Sequence, residues 1–201
     1  MFLLPAFSCV SALFLAFSSL AQPAERVMEL PKAAADCMGA IKITDEIGPI
    51  KSSAAHGLQF EVQNQGGQYP FLHTREYNPA WFRFNADADG ELELTISSVN
   101  AGDNYDFALY ASEGPWFCRS FPFELIGNPA RANCSTADMG TGITGINATG
   151  SDSLITFDAA DAFCNSLRVQ KGDAFYLLVD SSTRPQAGYT IKIRVKEDAH
   201  E

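Results

Sequence analysis

Four stretches alternate apolar and polar side chains so regularly that only strands buried on one face accommodate them. In YTIKIRV, Tyr189, Ile191, Ile193 and Val195 point one way, while Thr190, Lys192 and Arg194 point the other. GELELTI sets Leu92, Leu94 and Ile96 against Glu91, Glu93 and Thr95. AWFRFN sets Phe82 and Phe84 against Trp81 and Arg83, and YDFALY sets Tyr105, Phe107 and Leu109 against Asp106, Ala108 and Tyr110. A period of two is the signature of the pleat. Asp87-Ala88-Asp89-Gly90 reads as a turn, which predicts a hairpin of 80–85 with 91–97. Further strands are expected at 40–44, 58–62, 122–126, 154–157, 174–180 and 188–195, with a long loop at 127–153. No amphipathic helix of ten residues is visible. Short strands at turn-punctuated spacing predict an all-β chain, a jelly-roll-like antiparallel β-sandwich.

The sandwich is expected to follow a signal peptide. MFLLPAFSCVSALFLAFSSLAQ carries no charge and ends in small residues, so residues 1–21 read as a removable leader with cleavage before Gln22. Residues 22–35 then read as a mobile arm with a helical turn at 25–30, 36–196 as the domain and 197–201 as a tail. About 180 residues suffice for one core. All charges lie in this part, and the net charge of -10 disfavours nucleic acid and anionic membrane surfaces. No stable membrane span is expected once the leader is gone.

Cys37, Cys118, Cys134 and Cys164 remain after cleavage. An even count in an exported chain reads as two disulfides, with three connectivities open. The pairing favoured is Cys118–Cys134, which end one strand region and begin the next, leaving Cys37–Cys164. With three histidines and no CxxC, a zinc site is not expected.

Candidate sites are few. Asn85–Glu91 resembles half an EF-hand loop, but Ile96 stands where the bidentate acid is required, so a polar turn is the better reading. Asp103 and Asp106 at a strand entry, with Glu76 before a neighbouring strand, form a candidate Ca²⁺ site because hard cations take carboxylate oxygens from converging loops. Trp81 reads as core. Trp116 and Phe117, approached through Gly114-Pro115, are candidate binding residues able to stack on a sugar or anchor a protein. No nucleophile elbow, HExxH or Walker sequence is present, and His56 and His73 have no evident nucleophile partner.

Several motifs then follow one another in order: DCMGAIKI at 36–43, EYNPAWFRF at 76–84, GELELTI at 90–96, DNYDFALY at 103–110, Cys118, ARANCS at 130–135, GTGI at 140–143, GDAFYLLVD at 172–180 and a final GYTIKI. This series resembles the PPC-like (pre-peptidase C-terminal-like) β-sandwich of secreted and surface proteins in bacteria with type IX secretion. The resemblance implies a jelly-roll-like binding or adhesion module without catalytic residues, and calcium binding in the wider group adds weight to Asp103 and Asp106. Relatives often carry a cysteine before the EYNPAWFRF-like strand; YPFLH at 69–73 has none, which makes Cys164 the implied partner of Cys37.

The expectation is therefore an exported, non-catalytic module of the bacterial cell envelope, periplasmic or at the cell surface, whose partner is an envelope protein or a glycan. The alternatives are a small secreted hydrolase using acidic residues and a self-associating structural surface protein.

Overall fold

The structure, a computed structural model, describes residues 26–52, 57, 77–112, 114, 116–119, 129–138, 140–181 and 187–197. Thirteen strands run through them: β1 (Met28–Glu29), β2 (Ile41–Lys42), β3 (Glu46–Lys51), β4 (Ala80–Asn85), β5 (Gly90–Ser98), β6 (Asp106–Ala111), β7 (Arg131–Asn133), β8 (Ile143–Asn147), β9 (Leu154–Ile155), β10 (Phe163–Asn165), β11 (Leu167–Val169), β12 (Ala174–Asp180) and β13 (Tyr189–Glu197). They form two sheets. The first has the order β1-β3-β13-β5-β8-β10, with β11 pairing β5 beside β8; the second has the order β2-β4-β12-β6-β7-β9.

The all-β sandwich is as expected, but the sheets are mixed rather than purely antiparallel. The central pairings are antiparallel. At all four sheet edges the last pairing is parallel: β1 with β3, β10 with β8, β2 with β4 and β9 with β7. These edge strands are only two or three residues long. Each is a short stretch laid along a sheet border by a segment arriving from elsewhere, which a local turn cannot make antiparallel.

The predicted hairpin of 80–85 with 91–97 does not form. β4 lies in the second sheet between β2 and β12, whereas β5 lies in the first between β13 and the β8/β11 edge. The turn at 86–89 therefore crosses between sheets. Both edges of β4 are already occupied, and its register with β12 runs unbroken from Ala80 to Asn85.

The segment 127–153, expected as a loop, contains β7 and β8, and β8 pairs with β5 over Leu94–Ser97. Gly145 in β8 takes φ +150°, and a Cβ there would strike the Leu94 carbonyl, so this strand is dressed with glycine to lie close to its neighbour. The expected mobile arm is also fixed from Met28 onward. Met28–Glu29 pairs with Ile50–Lys51, the Leu30 N–H donates to the Lys51 carbonyl at 3.0 Å, and a 3-10 turn at Lys32–Ala35 buries Ala34 and Ala35. Leu30 and those alanines are the apolar cover that holds the segment down. The leader at 1–21, the strands expected at 58–62 and 122–126, and residues 198–201 lie outside the described residues.

Apolar side chains fill two layers. Between the sheets pack Phe82, Phe84, Leu92, Leu94, Ile96, Phe107, Leu109, Ile146, Leu177 and Ile191, all shielded from solvent. A second, smaller cluster lies on the outer face of the second sheet: Trp81, Ala108, Tyr110, Ala132 and Leu178, with Cys37, Cys118 and Cys134. The two clusters follow from strand parity, since residues of opposite parity on β4, β6 and β12 face opposite sides.

Candidate functional site

The outer cluster is covered by two 3-10 segments, Cys37–Gly39 and Phe117–Arg119, and a disulfide joins Cys37 to Cys118 with Cα atoms 5.4 Å apart. This corrects both expected pairings, Cys118–Cys134 and Cys37–Cys164. Cys134 and Cys164 are buried thiols outside any disulfide, and burial raises both to about 12. The layer accounts for one of the two corrections: Cys164 belongs to the core between the sheets, out of reach of Cys37. Cys37, Cys118 and Cys134 share the outer cluster, and there Cys118 pairs with Cys37 rather than with Cys134.

Over this layer runs a series of rings. Trp81 lies 6.0 Å from Tyr110, Tyr110 lies 5.8 Å from Phe117, and Phe117 stacks on Tyr176 at 4.7 Å with planes 16° apart. Phe117 is thus half-buried support rather than an open contact residue. Trp116, immediately before it, is 63 % exposed and carries the Arg119 guanidinium 4.9 Å from its ring. Met38, next to Cys37, is 58 % exposed. The disulfide therefore ties the two chain segments that present Trp116 and Met38. Of the two residues singled out as binding candidates, Trp116 is exposed and Phe117 is packed against Tyr110 and Tyr176.

Asp103 and Asp106, the candidate Ca²⁺ acids, are both buried. Asp103 accepts from the Ala187 N–H at 2.9 Å, and Asp106 accepts from the Asn104 amide at 3.3 Å. Glu76 lies outside the described residues, as do His56, His73 and His200. Among the described residues no group of three or more His, Cys, Asp or Glu side chains could hold a metal ion. The EF-hand-like stretch behaves as a turn, with Asp89 accepting from the Lys171 N–H at 2.7 Å.

Sequence reasoning missed Asp180, which is directly opposite Asp106 in the β12–β6 register. Its carboxylate accepts from the backbone N–H groups of Tyr77 at 3.0 Å, Asn78 at 2.6 Å and Ser181 at 2.8 Å, and so clamps the chain entering β4. Burial raises its pKa most, the backbone donors oppose that, and Asp106 adds to the rise. A carboxyl whose folded value is raised holds its proton more tightly in the folded than in the unfolded chain. Its contribution is full below the unfolded carboxyl range and is lost as pH rises through the folded value. Asp180→Asn is expected to flatten that fall in a series of urea midpoints from pH 3 upward. An unchanged slope would exclude Asp180 as its source.

Among the described residues no helix is long and apolar enough to cross a membrane. No family model matches the chain, and no curated protein matches it. Among solved structures, the chain is similar to one described as "CorA is a surface-associated copper-binding protein important in Methylomicrobium album BG8 copper acquisition". The similarity has a TM-score of 0.33 at 8% identity and covers 64% of this chain and 89% of that one.

Proposed function

We propose that this chain is an exported, non-catalytic binding module of the bacterial cell envelope that engages its ligand through the outer face of the second sheet, with Trp116 as the anchor. The observation that carries the reading is the exposure of Trp116 on a braced segment: its chain neighbour Phe117 stacks on Tyr176, the Arg119 guanidinium lies over its ring and a disulfide ties the segment to Cys37. A large exposed aromatic has few rotatable bonds, loses little entropy on binding and is among the residues most enriched as interface anchors. Export is supported by the apolar leader and by a disulfide of the kind that persists outside the reducing cytosol.

The jelly-roll-like and PPC-like readings belong to the same proposal. Their support is the order of motifs, AWFRF on β4, GELELTI on β5, DFALY on β6, AFYLLVD on β12 and YTIKI on β13. The test pairs the mature chain with Trp116→Ala on envelope extracts and immobilised glycans. The variant is expected to keep the wild-type melting temperature and to lose at least tenfold in retention of whatever the wild type binds. Equal retention by both proteins would remove Trp116 from the account.

A further inference from the structure

The two outer sheet faces treat their charges in opposite ways. On the first sheet, cations sit opposite acids in register: Lys51 opposite Glu29, Lys192 opposite Glu46, Arg194 opposite Glu93 and Arg168 opposite Glu91. All four pairs are in contact, at 3.0, 3.1, 2.6 and 3.8 Å. On the second sheet, Lys42 of β2 stands opposite Arg83 of β4. Like charges directly opposite on adjacent strands destabilise a sheet. Both side chains are exposed, and neither has an ion-pair partner among the described residues.

The same cross-strand row continues into the aromatic support. Arg83 is in register with Tyr176, and Tyr176 with Tyr110. Phe117 stacks on Tyr176 and leads to exposed Trp116 with Arg119 beside it. A chain with 24 acids and 14 bases thus sets Lys42 and Arg83 in the row that passes under Phe117, whose chain neighbour Trp116 carries Arg119 over its ring.

We propose that this face binds an acidic polysaccharide, one whose pyranose rings carry carboxylates. Trp116 stacks on the apolar face of a ring, while Lys42, Arg83 and Arg119 take the carboxylates and relieve the Lys42–Arg83 repulsion. The choice of polysaccharide over acidic peptide follows from the geometry. The row runs across the strands rather than along one, so a peptide added as a strand at the β2 edge would lie beside Lys42 alone. Flat rings with guanidinium groups beside them suit stacking and charge-assisted contact together. The chain's net charge of -10 opposes an anionic ligand except where cations are drawn together.

The inference rests on the Trp116 reading above. Its test titrates the mature chain with oligogalacturonate, with dextran as the neutral polysaccharide and with poly-glutamate as the acidic peptide, by calorimetry and by tryptophan emission. Oligogalacturonate is expected to bind, to quench emission and to weaken at least tenfold between 50 and 300 mM salt. The double variant Lys42→Gln/Arg83→Gln is expected to weaken it at least tenfold, with a melting temperature equal to or above that of the wild type. Equal binding of dextran, equal or tighter binding of poly-glutamate, indifference to the double substitution, or no oligogalacturonate binding would each overturn the proposal. Retention of another ligand that Trp116→Ala abolishes, with oligogalacturonate failing, would leave the anchor standing and remove only the acidic-sugar assignment. Oligogalacturonate binding that needs Lys42 and Arg83 but ignores Trp116→Ala would also overturn the proposal, because the indole would then take no part.

Discussion

Removing the Cys37–Cys118 bridge, as Cys37→Ser/Cys118→Ser or by reduction, is expected to destabilise the domain by about 4 kcal/mol. That size follows from the chain-entropy account, in which a cross-link closing a longer loop restricts the unfolded chain more, and this one spans 81 residues. The loop contains β4, β5 and β6, so the bridge constrains the heart of the fold. Urea unfolding of the pair variant against the wild type measures the effect. Alkylation without reductant measures the premise. In the mature chain, which lacks Cys9, Cys134 and Cys164 are buried, so the native protein should label at neither and the urea-unfolded protein at two positions. Four labelled positions would show that the bridge is absent, and none in the unfolded chain would restore the two-disulfide arrangement. The double variant should also weaken ligand retention more than its stability loss accounts for, because Trp116 and Met38 would no longer be tied together.

Trp81→Ala is expected to cost about 3–5 kcal/mol, the range for deleting a large aromatic from a packed interior. Trp81 is wholly buried, yet it points away from the layer between the sheets and into the outer cluster with Ala108, Leu178 and Cys37. The comparison with Trp116→Ala is the informative part. The exposed indole should leave the urea midpoint nearly unchanged, and the buried one should shift it strongly. Similar shifts for both would mean that the outer cluster is not a true interior.

Strands that are central and alternate cleanly were the legible ones. β4 and β12 have the bounds that their patterns predict, and β5 and β13 lie within a residue or two of theirs. Their side chains must satisfy two neighbours and a core, so the pattern is strong. The strands that escaped had weak local signals. β3 carries Gly48-Pro49 inside it, β8 reads ITGIN, and β7, β10 and β11 are three residues long. A turn such as Asp87–Gly90 announces a reversal but not which sheet receives the next strand, and the predicted hairpin failed for that reason. At the site, Trp116 is exposed just before the 3-10 turn Phe117–Arg119. The packing of Phe117 is not legible in the sequence because its stacking partner, Tyr176, is 59 positions away along the chain. Lys42 opposite Arg83 was invisible for the same reason, since register across strands is not a property of either segment alone.

The positions of the last two strands carry a consequence for how the molecule is made. β12 is wedged between β4 and β6, and β13 between β3 and β5, so each sheet waits for a piece from the final stretch of chain. A nascent polypeptide emerging N-terminus first, from a ribosome or through a translocation pore, has neither half of the sandwich closed until residues 174–197 are out. Long-range closure of this kind is slow, and the chain stays threadable until then.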